Sequence, residues 1–315
     1  MDKNLNHLGE SLYATENKAL YDESVKMLLS DPQIIAWILK WTTSEYFDKN
    51  ISEIIPYIGD TYVDLIPVTP GLTNKVIESM PTESKIVGEG TLYYDVRFCV
   101  KLPESPNGKA FRIIVDLEAQ KSPYPGYSIA TRGIGYGGRM ISEQFGRTVT
   151  GRDYDYMEKV YSIWLVFNSS KRTANSILKF SMEPHFLHGH FDINERYDLL
   201  DVVMVYVPQE GDIDSVQNSP TVLHRMLYDI FVMKNEAEEK IRIIKEKYNL
   251  ISENLGRRIN DMCNLSEMVE ERAKKNVMID TIKNMLEKGF TQEEIKEYTG
   301  YPLSLIKEVV EYSED

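Results

Sequence analysis

The run Phe111-Arg112-Ile113-Ile114-Val115-Asp116-Leu117-Glu118-Ala119-Gln120 constrains this chain more than any other stretch. Its aliphatic, β-branched character and its alternation predict a strand. Successive strand side chains point to opposite faces. Phe111, Ile113, Val115, Leu117 and Ala119 therefore share one apolar face, and Asp116, Glu118 and Gln120 share the other. A second alternating run lies just upstream, Tyr93-Tyr94-Asp95-Val96-Arg97-Phe98-Cys99-Val100. Tyr94, Val96, Phe98 and Val100 form its apolar side, with Asp95, Arg97 and Cys99 opposite. Pro103-Glu104-Ser105-Pro106-Asn107-Gly108 between them reads as a turn, so the pair predicts an antiparallel hairpin. Asp95 and Glu118 then fall on one side of one sheet. Two converging carboxylates suit a hard divalent cation such as Mg²⁺, which takes oxygen ligands and keeps several waters. A sheet with one wet face would show the same acids without a metal.

The chain has 315 residues, 42% hydrophobic and 27% charged, and can bury a full core with an appendage. It holds no apolar run long enough to span a membrane, and Met1-Asp2-Lys3-Asn4-Leu5 lacks the pattern of a signal peptide. Cys99 and Cys263 are too few and too far apart for a disulfide framework or a zinc site. These features predict a cytoplasmic protein with no membrane partner. The net charge of −13 argues against a surface coated in positive potential for nucleic acid. A local basic groove is compatible with it, because the field depends on where the charges sit.

Residues 16–48 predict two helices, the second opening at Asp31-Pro32 with Ile34, Ile35, Ile38 and Leu39 as its stripe. Ser128 to Phe145 predicts a helix despite Gly133, Gly135, Gly137 and Gly138, which suggests close backbone packing against the sheet. Arg132, Tyr136, Arg139 and Glu143 share one face of it, and a solvated stripe is one account of that face. Further strands are predicted over 159–168, 175–186 and 199–208, for about five in all. The result is an α/β or α+β layered fold with a mixed sheet. From Thr221 the pattern is helical to the end. The expected division is a core over 1–235 and a helical region over 236–315, with a helix-turn-helix-like unit at 278–313. Thr291 and Glu294 have capping-box spacing there. Lys307 stands among Glu308, Glu311, Glu314 and Asp315, so this unit suits packing or self-association better than DNA reading.

Several words of the sequence resemble the PD-(D/E)XK nuclease family transposases, relatives of the recombination-promoting nucleases. They are Gly90-Thr91-Leu92-Tyr93-Tyr94-Asp95-Val96-Arg97-Phe98 and Val115-Asp116-Leu117-Glu118-Ala119-Gln120-Lys121, then Tyr124-Pro125-Gly126-Tyr127, Thr131-Arg132-Gly133-Ile134, Arg139-Met140-Ile141-Ser142-Glu143-Gln144 and Lys159-Val160-Tyr161-Ser162-Ile163-Trp164. Tyr21-Asp22-Glu23-Ser24-Val25-Lys26 resembles the opening helix of that family, and 289–310 its helical tail. The resemblance implies a restriction-endonuclease-like core and Mg²⁺- or Mn²⁺-dependent cleavage of DNA, with RNA not distinguished. Asp95 takes the place of the first metal-binding aspartate, Glu118 that of the triplet acid, and Gln120 that of the triplet lysine. The backbone carbonyl of Ala119 completes the expected metal shell. Gln120 can orient a water but carries no charge. Lys26, Arg132 or Arg139 could supply the missing positive charge, with Asp22, Glu23, Asp116 and Tyr136 as auxiliaries. Phosphate contacts are expected from Arg132, Arg139, Arg147, Arg152, Lys171 and Arg172, and self-association from the C-terminal helices. A non-catalytic binding module and a hydrolase of another phosphate substrate remain alternatives.

Overall fold

The computed structural model describes residues 20–313 apart from 64–82, 87–89, 94, 103–111, 146–148, 150, 153 and 251. Phe111, Tyr94, Arg147 and the expected hairpin turn lie outside the described residues. Helix α1 covers 20–29. Helix α2 (Pro32–Thr42) starts where Asp31 accepts from the Gln33 amide and Pro32 fills the first turn, and it buries Ile34, Ile35, Ile38 and Leu39. A single turn, α3 (Ile51–Ile54), leads into β1 (Ile58–Val63). Among the described residues, strands β2 (Glu83–Ile86) and β3 (Gly90–Tyr93) pair with each other and not with the main sheet.

The main sheet is six-stranded and mixed. It contains β1, β4 (Val96–Lys101), β5 (Arg112–Gln120), β6 (Lys159–Ser169), β7 (Ile177–Ser181) and β8 (Leu200–Pro208), in the order β1-β4-β5-β6-β8-β7. Strands β1, β4 and β5 run antiparallel in turn, β5, β6 and β8 are parallel, and β7 closes one edge antiparallel to β8. The parallel step from β5 to β6 needs a crossover, and helix α4 (Ile129–Ser142) supplies it. The protein is thus of mixed α/β class.

Three expectations change. The run over 93–100 is not one strand: β3 pairs with β2, the chain bends at Asp95, and β4 begins at Val96. The strand expected over 175–186 ends at Ser181. The acidic face of β5 is not wet, for every residue from Ile113 to Glu118 is buried. Helix α4 is the reason. Its inward side joins Tyr136 and Met140 to Ile114, Val160, Trp164, Val202 and Met204, with half-buried Cys99 against them. The helix comes close because Gly133 has no side chain. A Cβ there would lie 2.7 Å from Val202 Cγ1 and 2.9 Å from Trp164 Nε1. The alternate residues of the same strands, Phe98, Val115, Leu117, Tyr161 and Ile163, are buried as well.

Beyond the sheet come α5 (Ile213–Gln217), α6 (Val222–Leu227) running into a π-turn at Tyr228–Val232, α7 (Ala237–Tyr248), α8 (Glu253–Glu287), α9 (Gln292–Thr299) and α10 (Leu303–Ser313). Two compact units divide the chain, one of them Glu23–Asn260. Helix α7 packs within it: Tyr248 donates to Asp229 at 2.6 Å and Lys240 to the Ile230 carbonyl at 3.0 Å. In the other unit, Ile282, Ile295, Ile306 and Val309 form a small core. The expected capping box is present, with Glu294 N–H donating to Thr291 Oγ1 and Thr291 N–H to Glu294 Oε2. No helix among the described residues is long and apolar enough to cross a membrane.

Candidate functional site

The site forms where β4 and β5 enter the α4 side of the sheet. Arg97 on β4 lies opposite Asp116 on β5, and Asp116 opposite Ser162 on β6. One row further on, Glu118 is opposite Trp164. Partners in register share a face, so Arg97, Asp116, Glu118, Ser162 and Trp164 meet beneath α4.

Asp95 joins this group from the bend before β4. Its backbone N–H donates to Glu118 Oε1 at 2.9 Å, and its own Oδ2 accepts from the Ala119 N–H at 3.1 Å. Each carboxylate therefore holds the other residue's segment in place. Asp95 Oδ1 pairs with the Lys26 ammonium of α1 at 2.9 Å. The structure thus brings Asp95, Glu118, Asp116 and Lys26 together, and it ties Ala119 to Asp95 through its amide.

Asp116 and Glu118 are almost wholly buried. Asp116 Oδ2 accepts from Ser162 Oγ at 3.1 Å, and Ser162 Oγ in turn accepts from Trp164 Nε1 at 2.9 Å. Asp116 Oδ1 is buried without a donor, although the two carboxyl groups are within hydrogen-bonding reach of each other. Two ionised carboxylates offer only acceptors, so a proton on one of them is what lets them bond. Burial, first of all, holds both groups well above the usual carboxylate range, and the neighbouring Asp95 charge adds to it. Asp116 is pushed up to about 7, against the lowering effect of Arg97. The pair titrates as a unit.

Sequence reasoning missed Arg97 as a member of this site. Its side chain is fully buried and pairs with Glu143 at the end of α4 at 2.5 Å. An arginine in a strand, on the same alternation as the acids, was the available signal. The sequence pattern marks Ser162 and Trp164 only as strand residues. The α4 face carrying Arg132, Tyr136, Arg139 and Glu143 is not a solvated stripe, because Tyr136 is buried and the others are half-buried. Arg132 donates to the hydroxyls of Tyr136 at 2.6 Å and Tyr127 at 2.5 Å, and its guanidinium lies 5.3 Å from the Trp164 ring centroid. Gln120 sits at the rim, where its amide donates to the Ser122 carbonyl at 3.0 Å. Asp22 is exposed on α1, and Arg152, Lys171 and Arg172 are exposed as well.

The side-chain ligands that Asp95, Asp116 and Glu118 offer are hard oxygens, those of Asp116 and Glu118 buried and that of Asp95 half-buried beside Lys26. That is the chemistry a divalent cation such as Mg²⁺ selects. Among the described residues, no group of three or more His, Cys, Asp or Glu side chains is arranged to hold a metal ion. A Mg²⁺ ion needs only one or two carboxylates, since it keeps its waters.

The fold and site define a mixed α/β protein with a largely buried acid cluster on the α4 side of its sheet. The chain matches no known family model, no curated protein and no solved structure.

Proposed function

We propose that this protein is a metal-dependent phosphodiester hydrolase of the PD-(D/E)XK kind, cutting DNA with little sequence preference in recombination, mobile-element movement or defence. The observation that carries the reading is the mutual clasp of Asp95 and Glu118 beside the buried Asp116 carboxyl. Asp95 and Glu118 would hold Mg²⁺ or Mn²⁺, with the Ala119 carbonyl completing the shell. Such an ion, once bound, polarises a phosphate oxygen and lowers the pKa of its water. The chain's own residues prepare for this. Ser162 fixes Asp116, with the Arg97 charge nearby, and the Asp95 and Ala119 amides fix the two carboxylates. Lys26 places a cation at the site where Gln120 brings none, so Lys26 is the better candidate for offsetting charge on a phosphate. Self-association through the C-terminal helices and a cytoplasmic setting belong to the same proposal.

The second reading is a nucleic-acid or protein binding module without catalysis. It is favoured by Gln120, whose amide is engaged with Ser122, and by Lys26, which already occupies Asp95. Plasmid cleavage with Mg²⁺ or Mn²⁺, run beside Asp95→Ala, decides between them. Metal-dependent nicking lost in Asp95→Ala supports the hydrolase. Equal nicking by both proteins, or none by either, removes it.

A further inference from the structure

Two tyrosines stand out of the loop that follows β5. Tyr124 is 72% exposed and Tyr127 48% exposed. Aromatic rings normally bury their area, and both tyrosines belong to the short loop that leaves β5 just after Glu118 and Gln120. The loop is stiff. Pro123 and Pro125 flank Tyr124, and proline fixes its own backbone angle and restricts the residue before it. Asn168 donates to the Lys121 carbonyl at 3.0 Å, and the Tyr124 N–H to Ser122 Oγ at 3.2 Å. Gly126, at φ 92°, makes a bend that an L side chain would resist. Tyr127 is held by the Arg132 guanidinium, which also reaches Tyr136 and Trp164, the register partner of Glu118. Both rings are thus presented outward by a braced backbone, and Tyr127 is tied through Arg132 to Tyr136 and Trp164.

We infer that Tyr124 and Tyr127 form a stacking platform for unpaired nucleobases, so that the substrate class is single-stranded or locally unpaired polynucleotide. This rests on the nuclease reading for its setting. Base stacking on exposed aromatic rings is tolerant of sequence because every base has a π-face. A paired duplex hides those faces, so the platform discriminates against it. With a net charge of −13, broad phosphate attraction is weak, so the rings would have to carry the affinity. A solvated loop that happens to carry two tyrosines would bind neither form.

The test is fluorescence anisotropy on the full chain without divalent metal. The probes are labelled oligothymidine of about 16 nucleotides, the matching oligouridine and a duplex of equal length. Wild type should bind one or both single strands more tightly than duplex. Tyr124→Ala should weaken single-strand binding ~10-fold, and Tyr124→Phe should keep it. Wild-type affinity in Tyr124→Ala, equal loss on duplex and single strand, or no single-strand binding by wild type would each overturn the platform. Thermal melting of Tyr124→Ala should match wild type, since the side chain is exposed. Cleavage by Asp95→Ala tests the nuclease reading separately, so either idea can fail alone.

Discussion

Asp95 and Glu118 hold one another through their backbones: the Asp95 amide donates to Glu118 Oε1 at 2.9 Å, while Asp95 Oδ2 accepts from the Ala119 amide at 3.1 Å. They come from a bend and from a strand, 23 residues apart. Glu118→Gln keeps an acceptor for the Asp95 amide and removes the charge. It should fold normally and lower metal-dependent plasmid cleavage by about 10²-fold or more. A Glu118→Gln protein that cuts at the wild-type rate would take Glu118 out of the chemistry.

Stability should fall as pH rises across the titration of the Asp116–Glu118 pair. Both groups have folded pKa values above their unfolded ones, near 4. The folded state then binds more protons than the unfolded state, and folding is penalised as pH climbs from about 4 through about 7. Asp116→Asn should therefore melt several degrees above wild type at about pH 8 and lose that advantage near about pH 4. Melting curves across this range, without metal, read the difference. A constant offset at every pH would show that the carboxyl is not held protonated.

Arg97 and Glu143 form an ion pair in the core. Glu143→Ala strips the carboxylate from a buried guanidinium and should cost on the order of 3 kcal/mol in urea unfolding. Arg97→Met combined with Glu143→Leu removes both charges and should recover most of that loss. If both proteins were equally destabilised, shape rather than charge would govern the position.

Lys26 and Gln120 make opposite predictions for the missing cation. Lys26→Met should reduce cleavage by roughly tenfold or more, because it removes the charge at Asp95. Gln120→Ala should have the smaller effect, since its amide is spent on Ser122. Rates measured under the same metal conditions rank the two, and a larger loss in Gln120→Ala would restore it as the residue that orients water.

Two glycines of α4 separate packing from propensity. Gly133→Ala drives a methyl against Val202 and Trp164 and should destabilise by ~1–3 kcal/mol. Gly135 faces open space, and Gly135→Ala should stabilise by about 0.5–1 kcal/mol. Denaturant midpoints distinguish them.

The alternation of β5 was legible from the residues alone, and so was the placement of Asp116 and Glu118 on one face. Local periodicity fixes which face a side chain takes, because a strand alternates with period two. The α4 helix, its glycine-assisted approach and the Thr291–Glu294 cap followed from equally local rules. The break at Asp95 was not legible, since Tyr93 to Val100 alternates without interruption and only pairing of β3 with β2 ends the first piece.

What the tertiary structure alone decided is the electrical character of the site. Sequence placed the acids on a face, but whether that face was wet depended on α4 lying over it. Once it does, Asp116 and Glu118 lose their water, and a proton becomes their cheapest neutraliser. Arg97 became a site residue for the same reason, because its partner Glu143 arrives from 46 residues away. Lys26 reaches Asp95 from a different helix by a path that no spacing rule describes. Periodicity is a property of neighbours in the chain, whereas burial and charge pairing are properties of neighbours in space.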